Sequence, residues 1–317
     1  MLTNPAPAPA LGPGPAPAPL SADMPTLDWQ TPWFKPLHPW GPRVLELWHS
    51  GHALSRSLNQ TLEEVHAVDS RRPHVAFVPQ EQLPKAVAYE TFIQTHAQVP
   101  TREHMHDFFN AMSWCRWPQT KALISRLQGQ AIDRQLSSPP QAQALGPGPG
   151  EFSAPPPPRG LLRDSLTLID ESGVFLSCTD AMWQALCEHR WTDLFVTERA
   201  AWAQCHVHLV GHALLEKLMN PYKSITAQVL RVSSPLGPVS MGTVLSDQEL
   251  WDASVKDALT RALQIESREP LRVKPFEVLP LMGIPGWAHA QDASGYYEDT
   301  GVFRPRTKPL VSSRAGS

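Results

Sequence analysis

The chain has 317 residues, 42% of them hydrophobic and 18% charged, with a formal net charge of −3. That length suits one large domain or two small ones, and the charge lacks the basic excess of a dedicated nucleic-acid binder. Cys115, Cys178, Cys187 and Cys205 form no C-x-x-C pair, which argues against a zinc knuckle or a disulfide framework and for reduced thiols.

Met1 to Leu20 alternates proline with alanine and glycine. It has neither the basic start nor the leucine-rich core of a secretory signal, and no apolar run approaches the roughly 20 residues that span a bilayer. A cytoplasmic location without a membrane partner is expected. Residues 1–25 read as a polyproline-II-prone tail, and residues 137–160 as a second segment of that kind, with Pro139, Pro140 and Pro155 to Pro158. The second is either a linker between domains or an insertion within one. We read it as an insertion in a single globular domain over 26–310, followed by a short tail over 311–317.

The first predicted helix runs from Ala86 to His96 on Val87, Tyr89, Phe92 and Ile93. Pro100 breaks the chain, and Thr101 is the expected N-cap of a helix over Arg102 to Arg116 with Phe108, Phe109, Met112 and Cys115 on its apolar face. Gln119 to Gln135 continues as a third. Leu166 and Leu168, then Asp170-Glu171-Ser172-Gly173, then Val174-Phe175-Leu176 read as a β-hairpin whose turn residues supply the turn chemistry. Thr179 to His189 is predicted helical. A long helix is expected from Glu198 to Met219, stopped by Asn220-Pro221, then a strand over Ser224 to Val232 and a helix over Asp247 to Ile265. From Pro280 the chain is turn-rich, with Trp287 as an anchor. The fold class is α+β, predominantly helical, with a small sheet that includes the hairpin.

Two stretches gather chemistry-bearing residues. In the first, His106 and Asn110 are four apart and Asp107 lies three before Asn110, beside a phenylalanine-rich side. Such groups make either a solvated helix face or a partly buried polar site. In the second, His208, His212 and Glu216 recur every four residues, and Gly211 inside the expected helix suggests a close backbone contact beside His212. His212 and Glu216 suit a divalent metal or an acid–base pair, although the H-E-x-x-H pattern is absent, and they equally suit core-edge histidines with one satisfied by Glu216. Lys121, Lys223 and Arg102 are candidate holders of an anionic group, while Lys223 also suits the negative end of the expected helix.

Several stretches follow one another in order: Thr101-Arg102 with His106-Asp107-Phe108-Phe109-Asn110, then Trp117-Pro118-x-Thr120-Lys121, then Leu166-Thr167-Leu168-x-Asp170-Glu171. Gly211-His212-Ala213-Leu214-x-Glu216-Lys217, Pro221-Tyr222-Lys223-x-Ile225-Thr226, Gly283-x-Pro285-Gly286-Trp287 and Val302-Phe303-Arg304-Pro305 complete the set. Together they resemble the bacterial family called domain of unknown function 3025, over roughly residues 75–306. No single motif is specific; the ordered set is. The resemblance implies a shared fold and, since its motifs flank the proline-rich segment, a single domain. It implies no particular chemistry.

Two functions compete. One is a metal-dependent or general acid/base hydrolase acting on a small anionic substrate. Its catalytic groups would be His106, Asp107, Asn110, His212 and Glu216. His212, Glu216 and Asp107 would be its metal ligands, and Arg102, Lys121 and Lys223 would bind substrate. The other is a non-catalytic binding or structural module in which the same groups form a buried fold-fixing network. The first requires the two distant histidine-bearing helices to meet in one open cleft.

Overall fold

The structure, a computed structural model, describes residues 26–66, 75–137, 160–235, 246–267, 271–289, 291–292 and 294–306. The expected N-terminal tail, the body of the proline-rich insertion and the C-terminal tail lie outside the described residues. Helices α1 (Gly41–His49) and α2 (Leu54–His66) lead into β1 (Ala76–Pro79), α3 (Tyr89–His96) and β2 (Gln98–Thr101). Next come α4 (Met105–Arg116), α5 (Pro118–Ser137), α6 (Leu161–Ser172), β3 (Gly173–Ser177) and α7 (Asp180–Cys187). The chain closes with β4 (His206–Leu209), α8 (His212–Lys217), β5 (Thr226–Arg231), α9 (Asp247–Ala262) and β6 (Glu277–Pro280). The class is α+β and predominantly helical, with a parallel β1-β2 pair and a four-stranded mixed sheet ordered β4-β3-β5-β6. Among the described residues no helix is long and apolar enough to cross a membrane.

The four-stranded sheet is covered on both faces, and strand alternation assigns residues to two cores. Val174, Leu176, Ala227, Val229 and Leu279 join the larger core with α1, α2, α4 and α7. Phe175, Leu230 and Val232 join a second core with Leu166 and Ile169 of α6, Ile124 and Leu127 of α5, and Trp251, Val255 and Leu259 of α9. Buried Asp252 on α9 binds the start of α5, accepting from Gln119 N at 2.8 Å, Thr120 N at 3.1 Å and Thr120 Oγ1 at 2.6 Å. That carboxylate satisfies orphan donors of the helix N-terminus and sets the direction in which Lys121 enters the protein. The Pro280 region packs inward as expected, with Trp287 against Trp33 at a ring separation of 5.5 Å.

Three local expectations are corrected. Residues 161–172 form a helix, so Asp170 and Glu171 sit on its last turn and there is no 166–176 hairpin. Leu166 and Ile169, three apart, are the fully buried pair, whereas Leu168 is only partly buried; this is a helical spacing that the Leu166–Leu168 alternation concealed. Residues 198–219 are not one helix. His206 to Leu209 pair antiparallel with β3 as β4, and helix resumes only at His212. Lastly, α4 begins at Met105 with His104 as its N-cap, its side chain accepting from His106 N, while Thr101 ends β2.

Gly211 therefore lies at a junction rather than inside a helix. Val210 N and Gly211 N both donate to Gly173 O at 3.0 Å. A Cβ at Gly211 would stand 2.5 Å from Gly173 N and 2.6 Å from Ser172 Cα, backbone atoms that cannot swing aside. This crossing sets the start of α8 against the end of α6. Gly211→Ala is expected to cost about 1–3 kcal/mol through overpacking. Urea unfolding checks it, and a change within about 0.5 kcal/mol, the size of an ordinary surface substitution, would contradict this contact.

Candidate metal centre

Three helix ends meet: the first turn of α4, the last turn of α6 and α8. His106 enters from α4, Asp170 and Glu171 from α6, and His212 and Glu216 from α8. His106 Nδ1 lies 2.9 Å from Glu216 Oε2, and its Nε2 lies 3.0 Å from His212 Nε2. Glu171 Oε1 is 3.9 Å from His212 Nε2, and Asp170 Oδ2 is 3.8 Å from His212 Nδ1. One donor atom each from His106, Glu171 and His212 fall within 4.8 Å of one another.

Behind His212, a buried chain of polar groups holds the α6 carboxylates. Lys121 Nζ donates to Asp170 Oδ1 and, at 2.8 Å, to Asn110 Oδ1. Asn110 Nδ2 donates to the Tyr89 phenol oxygen at 3.0 Å. Burial opposes the Asp170 charge, but Lys121 and the imidazoles of His212 and His106 outweigh it and hold this carboxyl below its ordinary range. Glu171 is pushed the other way, by burial and then by the charge of Asp170. Burial lowers His212 to about 4, so its imidazole is neutral near pH 7.

A neutral His212 raises a hydrogen-bond problem. If His106 Nδ1 donates to Glu216, a neutral His106 leaves a bare lone pair on Nε2. His212 can donate to it only by leaving its own Nδ1 lone pair toward the carboxylate and backbone carbonyl of Asp170, neither of which supplies a hydrogen. With its hydrogen on Nδ1 instead, two lone pairs oppose one another at 3.0 Å. A divalent cation between the Nε2 atoms removes the conflict and leaves both Nδ1–H groups facing carboxylates, the arrangement that orients metal-ligating histidines. Nitrogens about 2.0–2.1 Å from a tetrahedral zinc stand about 3.3 Å apart, close to the separation here. A proton on His106 serves the same purpose, so proton and metal compete for this position.

The group opens into a cavity of about 420 Å³ whose walls include Tyr89, Arg102, Gln128 and Thr167. Of the expected site residues, His106, Asp107, Asn110, His212 and Arg102 line it. Of the expected ligands His212, Glu216 and Asp107, His212 falls in the group that could hold an ion. Asp107 is held by Arg102, accepting from its N at 2.7 Å, Nε at 3.1 Å and Nη2 at 2.7 Å. Glu216, one turn after His212 on α8, binds His106 Nδ1, and Glu171, read with the turn residues, faces His212. Lys121 is spent on Asp170 and Asn110. Lys223 lies elsewhere, paired with Asp299 at 2.8 Å. Glu103, just before α4, accepts from Trp48 Nε1 at 2.7 Å and Leu54 N at 3.0 Å, at the start of α2.

His208 is also outside the centre, against Trp117 and Trp251 at ring separations of 5.3 and 4.2 Å. Burial, then the Arg116 charge, lowers it to about 3. Unfolding returns His208 and His212 to about 6.5, so below that pH the unfolded chain binds more protons and stability falls with falling pH. Each contributes about 1.4 kcal/mol per pH unit, until roughly pH 4 for His212 and pH 3 for His208. Urea unfolding of chelator-treated protein at pH 7 and 5.5 should show this slope. His208→Gln should reduce it; an unchanged slope would contradict the assignment.

These observations define an α+β protein with a His/His/Glu cluster at a cleft where three helix ends converge. The chain belongs to the family described as "Protein of unknown function (DUF3025)", whose model matches residues 75–307. That span carries every residue of the cluster and leaves out α1 and α2, which nevertheless contribute Val44, Trp48, Leu54 and Leu58 to the larger core. No curated protein and no solved structure matches the chain.

Proposed function

We propose that this protein is a metal-dependent hydrolase acting on a small anionic substrate, with His106, His212 and Glu171 as the ligands of one divalent ion. The observation that carries the reading is the 3.0 Å approach of two imidazole Nε2 atoms, with Glu216 behind one ring and Asp170 behind the other. Two imidazoles and one carboxylate are a donor set suited to zinc and leave a position open for water. A zinc ion there would lower the pKa of that water to near 7 and supply a hydroxide nucleophile. Arg102 retains N–H donors that its Asp107 pair does not use and is the better anion holder. Lys121, Asn110 and Asp170 fit the second reading, a buried network that fixes the helices around the centre.

The test is turnover of p-nitrophenyl phosphate and p-nitrophenyl acetate by chelator-stripped protein after zinc or manganese is restored. Metal-dependent hydrolysis lost in Glu171→Gln is expected. Absence of turnover with either metal, or turnover indifferent to the chelator, would remove the hydrolase reading.

A further inference from the structure

The contacts around Asn110 fix where the Tyr89 hydrogen points. An ammonium only donates, so the Asn110 atom 2.8 Å from Lys121 Nζ must be its carbonyl oxygen. The amide nitrogen must then face Tyr89, where at 3.0 Å it can only donate. The phenol oxygen is therefore an acceptor toward Asn110, and its own hydrogen is not used in that bond. Among the described residues no other polar partner of this phenol is found. Tyr89 opens α3 and lines the same cavity as His106, Glu171 and His212.

We infer that Tyr89 is a catalytic residue that donates its phenolic hydrogen to an oxyanion oxygen of the ligand held at the His106–His212–Glu171 centre. The inference rests on the metal-centre reading above and adds the group that recognises the reacting anion. Burial, then the charges of Asp107 and Asp170, keep Tyr89 protonated far above the ordinary tyrosine range, so it stays a donor at any working pH. A donor is what an anion needs beside the carboxylates Asp170 and Glu171. The Lys121–Asn110 pair holds the phenol in that role before ligand arrives, so no reorientation is required when charge develops.

Zinc uptake and inorganic phosphate binding by the zinc-loaded protein, each measured by calorimetry for native protein and Tyr89→Phe, test this. Phenylalanine keeps the ring and removes the donor. Unchanged zinc affinity with phosphate affinity reduced roughly 10- to 100-fold is expected, the value of one hydrogen bond to a charged group. Equal phosphate affinity in both proteins, or no phosphate binding by zinc-loaded native protein, would overturn the inference and leave the metal centre standing. Failure of the native protein to take up zinc would overturn both. Should Tyr89→Phe not fold, native protein carrying fluorotyrosine at its four tyrosines gives a second readout. One fluorine resonance should move on adding phosphate to the zinc form, and four unmoved resonances would overturn the inference.

Discussion

Replacing Lys121 with methionine is expected to destabilise the protein by about 3–5 kcal/mol, the cost of leaving one partner of a buried ion pair without the other. The Lys121 side chain is 4% exposed and that of Asp170 18%, and the ammonium also carries the Asn110 carbonyl. Methionine fills the space but supplies no donor. Asp170 then loses the charge that keeps it ionised against burial, and Asn110 is free to flip toward Tyr89. Replacing both partners, Lys121→Met with Asp170→Leu, should recover much of the loss, because no uncompensated charge remains. Urea unfolding of the two single variants and the double variant gives the coupling directly. A loss below about 1 kcal/mol for Lys121→Met, the range of exposed pairs, would show that the pair is effectively solvated.

His212→Ala is expected to weaken zinc binding well beyond the roughly 10- to 100-fold seen when a group that only orients a ligand is lost. Glu216→Gln, behind His106, should fall within that lower range. The metal-free His212→Ala protein should remain folded at neutral pH, because the buried imidazole is neutral there and Asp170 keeps its Lys121 partner, so no uncompensated charge is left. This separates a ligand from a strut. A fold-fixing role predicts a large fall in melting temperature without any change in metal uptake. Uptake should also weaken as pH falls, since protons compete for the same nitrogens, and one or more protons should be released on binding. Competitive zinc titration with a chelating dye at two pH values measures both effects.

Local pattern made most of the helices legible. The stretches near 86–96, 102–116, 119–135, 179–189 and 247–265 carry apolar spacing that the tertiary structure preserves, although the expected cap at Thr101 gives way to His104. The errors have specific causes. Alternation of Leu166 and Leu168 imitated a strand, although Ile169 completes a helical stripe. His206-Val207-His208-Leu209 is a strand because β3 offers it an edge, and no local signal reports that edge. Gly211 did announce a close contact, but the partner, the Gly173 junction, is far away in sequence.

The site divides in the same way. His106, His212 and Glu216 stood out as residue types, yet their pairing spans separations of 106 and 110 residues, which no window along the chain reveals. Asp170-Glu171 reads more readily as a turn, because the Asp, Ser and Gly of that stretch supply turn chemistry. Lys121 was seen as an anion holder, but its two acceptors come from α4 and α6, so its charge is consumed inside the protein.

His106 and His212 are proposed to ligate one metal ion through Nε2. X-ray absorption on zinc-loaded protein examines it most directly. The expected result is one zinc per chain with two imidazole nitrogens at about 2.0–2.1 Å and oxygen completing the shell. The imidazole signature should be lost in the His106→Ala, His212→Ala double variant. Zinc held at the same stoichiometry, with an unchanged spectrum in that variant, or no zinc retained by native protein, would contradict it.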